Sequence, residues 1–188
     1  MGKEVSEFQD QIKELKEFVA LATVNPRDYQ KINIGIIKKL VNDEKIPGVY
    51  ITLNKPYKTL KSIFEKEKID SSLILFIDAV TSTKDKKLEK TKDCLYIGSP
   101  ENLSDISVAM DEAVRAVPSE KKFVFFDSLS TLLIYNQPGT IAKFIHFLAG
   151  KMREWGVKGI IISLEKGANK ELIDKLSQFC DVSFDFGE

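Results

Sequence analysis

The stretch Phe123-Val124-Phe125-Phe126-Asp127-Ser128-Leu129-Ser130 is an apolar run that ends on a carboxylate and then turns polar. Four consecutive large apolar residues leave no side for water, so the run reads as a strand buried on both faces, as in a parallel sheet covered by helices. Ligands of open α/β domains gather outside the carboxyl ends of such strands, and Asp127 stands at that edge, where many of these domains hold a magnesium ion.

Outward from this strand, apolar runs alternate with helical periodicities. Phe18–Val24 is a second doubly buried run, closed by the turn pair Asn25-Pro26. Ile32, Ile36, Ile37, Leu40 and Val41 share one face of a helix over Lys31–Lys45, which Pro47-Gly48 ends. Strands over Val49–Leu53 and Leu73–Asp78 flank a short helix over Tyr57–Lys66. Cys94–Ile97 reads as a further strand, and Ser99-Pro100 opens a helix that Pro118 stops. Beyond Asp127 come a helix over Thr140–Trp155, a strand over Gly159–Ser163, a helix over Glu171–Cys180 and a last alternating strand, Val182-Ser183-Phe184. Regular alternation of strand and helix specifies an α/β domain with a mainly parallel central sheet.

The 188 residues, 43% of them hydrophobic, suffice for one core, expected over residues 18–188. Before it, Val5, Phe8, Ile12 and Leu15 form the apolar stripe of a helix over Glu4–Glu17, which caps the sheet or pairs with a partner. The 28 basic residues balance 28 acidic ones, so no long-range field draws nucleic acid or an anionic membrane. Apolar runs fall short of the ~20 residues a membrane helix needs, and a cytoplasmic location is expected. Thr81–Asp93, with five lysines, three acids and only Leu88 apolar, reads as a solvated excursion, with a basic docking loop as the alternative. Cys94 and Cys180 read as reduced, half-buried thiols and His146 as a surface side chain; no metal site is expected from them.

The loop between the first strand and its helix is where a phosphate-binding loop, G-x-x-x-x-G-K-S/T, would aim backbone N–H groups at a nucleotide. Here it contains Asn25-Pro26-Arg27-Asp28-Tyr29-Gln30-Lys31-Ile32. Only Lys31 matches. Asn25 and Gln30 replace the glycines, and Ile32 replaces the hydroxyl that would ligate magnesium. Pro26 offers no N–H, Asp28 repels phosphate, and Tyr29 adds bulk where backbone must approach closely. Ordinary loop structure is the leading reading, ahead of weak anion binding by Arg27 and Lys31 and of nucleotide binding.

The order of these features resembles the RecA-like ATPases, and within them the KaiC, GvpD and RadA-related group found widely in archaea. The resemblance runs from about Phe18 to Phe186. It rests on the degenerate Walker A slot, on Gly48-Val49-Tyr50-Ile51-Thr52-Leu53-Asn54-Lys55-Pro56, which is similar to the family's Y-I-S-L-E-E-P, and on the Walker B-like strand ending at Asp127. It implies a three-layer α/β/α RecA-like domain. It also implies that Lys31 and Asp127 occupy vestigial Walker A and Walker B positions, and that Asn54 and Lys55 stand where the family places the acid that polarises the attacking water. Asp127 is then left to cap the following turn through the Ser128 or Ser130 N–H groups, or to keep a residual metal contact.

The expectation is a non-catalytic module with no catalytic residue and no cofactor, acting on a protein partner in a homo- or hetero-oligomer. An ATP- and magnesium-binding protein or weak ATPase is the alternative, and a nucleic-acid accessory role is disfavoured by the charge balance.

Overall fold

The computed structural model describes Phe8, Ile12 and residues 15–81, 91–164 and 170–186. Seven strands are present among them: β1 (Phe18–Val24), β2 (Gly48–Thr52), β3 (Ile74–Asp78), β4 (Cys94–Tyr96), β5 (Phe123–Asp127), β6 (Lys158–Leu164) and β7 (Val182–Phe186). They form one sheet in the order β4-β3-β2-β5-β6-β1-β7. Every pairing is parallel. The helices are α1 (Tyr29–Lys38), α2 (Tyr57–Lys66), α3 (Leu103–Ala116), α4 (Leu129–Tyr135), α5 (Pro138–Glu154) and α6 (Lys170–Ser177).

Successive side chains of a strand point to opposite faces, so each strand feeds two cores. Phe123 and Phe125 join Tyr50, Phe76 and the buried side of α1 and α2 on one face. Val124 and Phe126 join α3, α4, α5 and α6 on the other. Phe8 and Ile12 are buried in the first of these cores, where the Phe8 ring meets Phe184 edge-on at 4.6 Å. The rest of the expected Glu4–Glu17 helix, apart from residues 15–17, lies outside the described residues, as does most of the lysine-rich excursion.

Several boundaries differ from the sequence expectation, each for a local reason. The first helix starts at Tyr29 and passes through a π-helical turn, Lys39–Asp43, instead of running unbroken from Lys31 to Lys45. The helix expected at Ser99-Pro100 begins at Leu103, because the Asn102 side chain accepts a hydrogen bond from the Asp105 N–H (3.2 Å) and caps it. Helix α4 was not anticipated. It follows the strand after a single residue, Ser128, leaving no loop signal between them.

Both thiols are free, Cys94 buried and Cys180 half-buried. Burial pushes Cys94 up to about 12 and Cys180 up to about 11, so neither is a nucleophile near neutral pH. His146 is exposed and stands edge-on to Phe179 at 4.7 Å. Among the described residues no helix is long and apolar enough to cross a membrane.

Candidate functional site

Parallel pairing of β2 with β5 places Tyr50 beside Phe125 and Thr52 beside Asp127. Tyr50 and Phe125 stack at 5.0 Å, and Asp127 is two residues further on the same face, so the long Tyr50 side chain runs along the sheet toward it. The Tyr50 hydroxyl donates to Asp127 Oδ2 at 2.5 Å. From the N-terminus of α1, the Tyr29 hydroxyl donates to Asp127 Oδ1. The carboxylate is 1% exposed.

Asn54 ties this cluster together. Its Nδ2 lies 3.0 Å from the Tyr29 hydroxyl, 3.1 Å from Ser128 Oγ and 3.4 Å from Asp127 Oδ1. Its Oδ1 accepts from the Thr131 hydroxyl in α4. Lys55 Nζ donates to Gln30 Oε1 (3.2 Å) and stands over the Tyr29 ring, 5.3 Å from its centroid. The position resembling the family's catalytic acid is therefore a neutral amide engaged on both its donor and acceptor sides.

Burial raises the Asp127 carboxyl above its ordinary value, while the phenol hydrogen bonds, the Lys55 charge and Asn54 work against that rise. Burial, reinforced by the Asp127 charge, raises both Tyr29 and Tyr50. All three groups are thus set to share protons as donors and acceptors, and neither phenol ionises near neutral pH.

The loop before α1 is a tight turn whose donors point inward. Asn25 Oδ1 accepts the Arg27 N–H at 2.9 Å, and the Asn25 carbonyl accepts from the N–H groups of Asp28 and Tyr29, both at 3.0 Å. Pro26 has no N–H to give. Ile32 is buried in the core, 1% exposed, and Lys31 is exposed with no ion pair to a described residue. Lys31→Ala should accordingly leave the melting temperature within about 1 °C of the parent, since an unpaired surface side chain contributes little; a calorimetric scan showing a larger fall would reveal a role for it.

The space bounded by Tyr29, Tyr50, Asn33, Lys55 and Asp127 amounts to about 10 Å³. That accommodates roughly one water, whereas small-molecule sites occupy about 300–1,000 Å³. Asn33, 5% exposed, lies behind the phenols with its Oδ1 accepting from no described residue.

The capping role expected of Asp127 is corrected. Its acceptor capacity goes to the two phenols and Asn54, not to the Ser128 or Ser130 N–H groups. The strand-end carboxylate that does cap is Asp78, at the end of β3, which accepts from the N–H groups of Tyr57, Val80 and Thr81, each at 2.8 Å, and from the Thr81 hydroxyl at 2.6 Å. Sequence reasoning placed Tyr50 only within a strand, took Tyr29 only as bulk in the loop and assigned Thr131 nothing; only the spacing of Tyr50 and Asp127 from their strand ends hinted that they share one face.

An all-parallel seven-stranded sheet with helices on both faces, and an acid closing the strand beside β2, define a RecA-like α/β domain. The chain belongs to the KaiC ATPase family, whose model matches residues 36–182, beginning in the last turn of α1. In the same group, its fold is similar to the crystal structure of the KaiC-like protein PH0186 from the hyperthermophilic archaeon Pyrococcus horikoshii OT3. The TM-score is 0.64 at 17% identity, covering 89% of this chain and 71% of that one. No curated protein matches the sequence.

Proposed function

We propose that this chain is a non-catalytic KaiC-like domain whose nucleotide site is filled by its own side chains, and that it works as a protein-interaction or regulatory module. The observation that carries this reading is the pair of tyrosine hydroxyls on Asp127, at the strand end where the family would hold magnesium.

Magnesium-ATP does not fit the residues present. A triphosphate needs free backbone donors, and those of Arg27, Asp28 and Tyr29 are spent inside the turn. Magnesium needs several oxygen ligands in open octahedral array, and the oxygens nearest Asp127 are phenols already bonded to it. Asn54 cannot accept a proton from water as a carboxylate would. Loss of the chemistry with retention of the fold leaves the surface as the working part.

Titration calorimetry of the purified protein with Mg-ATP and with ADP tests the reading. No binding tighter than a Kd of about 100 µM, roughly −5.5 kcal/mol, is expected. A tighter isotherm, or ATP turnover above the uncatalysed background, would overturn it.

A further inference from the structure

Equal totals of basic and acidic residues hide an uneven distribution. Residues 25–68, which build α1, β2 and α2, carry ten basic residues against five acidic ones, so the rest of the chain holds the matching acidic excess. Helix α1 has two lysines and no acid, and α2 has three lysines against Glu65 alone. Ion pairing leaves most of this charge free. Lys61 is held by Asp93 at 2.6 Å and Lys39, just past α1, by Asp43 at 3.4 Å. Lys31, Lys38, Lys58 and Lys66 are exposed, with no ion pair among the described residues.

Topology arranges these four in space. Helix α1 crosses from β1 to β2 and α2 from β2 to β3, on the same face of one parallel sheet, so the two helices run in the same direction. Lys31 and Lys58 stand in their first turns and Lys38 and Lys66 at their last residues, about 11 Å further along. Between these ends the half-buried Ile34 and Ile63 line the seam where the helices meet. The seam encloses only about 10 Å³, so a partner lies along it and not within it. An aliphatic centre rimmed by like charges has the anatomy of an interface for a segment of opposite charge.

We propose that this face docks an acidic segment of a protein partner, its carboxylates on the lysines at the two ends and an apolar side chain between them over Ile34 and Ile63. This rests on the interaction role above and names the chemistry of the partner. A nucleic-acid strand is the poorer match, because the seam is aliphatic and Lys55 already stands over the Tyr29 ring, 5.3 Å from its centroid, leaving that ring no free face for a base.

Fluorescence anisotropy of the full chain with a labelled twelve-residue peptide of glutamates around two central leucines tests this. A Kd on the order of 10–100 µM is expected at about 50 mM salt, weakening roughly 5-fold at about 300 mM. Lys38→Glu/Lys66→Glu should weaken it by about 10-fold or more while lowering the melting temperature only a few degrees, the cost of losing two last-turn helix charges. Replacing the leucines by serine should weaken it about 3-fold or more. No binding tighter than about 1 mM, binding indifferent to the charge reversal, or a preference for a twelve-residue oligothymidylate over the peptide overturns the proposal. Lys38 and Lys66 lie outside the loop before α1, so nucleotide calorimetry is read separately: an absent peptide complex with an empty nucleotide isotherm removes the acidic partner and leaves the filled-site reading standing.

Discussion

Replacing Gly48 by alanine should cost about 3–5 kcal/mol and lower the melting temperature on the order of 10 °C, the largest effect expected of so small a change. Gly48 opens β2, paired with Ile74 of β3 on one side and Phe123 of β5 on the other. A Cβ built there would meet the Phe123 carbonyl oxygen at 2.4 Å and the Phe123 ring carbons at 2.5 Å. The oxygen belongs to backbone held in the centre of the sheet, with the Phe123 N–H bonded to the Pro47 carbonyl at 3.1 Å, so relief requires moving a strand. Gly159 in β6 is the control. Its added Cβ would also crowd a neighbour at 2.5 Å, but that neighbour is Met152 Sδ, the far part of a flexible side chain. Gly159→Ala should therefore cost no more than about 1–2 kcal/mol. Denaturant titration of both variants decides the matter; equal losses would mean that β2 and β5 yield more easily than their pairing implies.

The second large effect is expected at Asp127. Asp127→Ala removes the acceptor of two buried phenols and opens a small void, and unpaired buried donors cost about 1–3 kcal/mol each, so a loss of about 2–4 kcal/mol follows. Asp127→Asn keeps the shape and one acceptor while removing a carboxyl that burial already disfavours as an ion, so it should cost about 1 kcal/mol or less. A metal ligand in a working ATPase behaves differently: both substitutions abolish turnover, and strained functional sites often gain stability when disarmed.

The same carboxyl gives a pH signature. Its folded pKa lies above the ordinary value near 4, so the folded state holds its proton more tightly than the unfolded chain does. That contribution is complete below about pH 4 and is lost as pH rises through the folded pKa. Asp127→Asn should flatten this part of the stability profile above pH 4, and a parent-minus-variant difference that does not change between about pH 4 and 7 would refute the assignment.

Much of the domain was legible before any coordinates. Phe18–Val24 and Phe123–Asp127 sit at their expected limits because a strand buried on both faces must be apolar throughout, and turn residues end it sharply. The turn at Asn25-Pro26 was likewise readable, since Pro26 lacks the N–H that would continue a strand. Helix α4 was not: Leu129–Tyr135 adjoins β5 with no breaker, and a seven-residue helix has too few turns for its period to show.

The sequence by itself determined the α/β alternation, the parallel sheet and the position of Asp127 at the end of its strand, because these depend on local periodicity and on one-residue punctuation. Only the tertiary structure decided what Asp127 does. Its partners Tyr50, Tyr29 and Asn54 lie 77, 98 and 73 positions away, brought together by the β2–β5 register and by the packing of α1. Local patterns carry no information about contacts across such separations. A strand-end acid reads alike in sequence whether it faces a metal or two phenols.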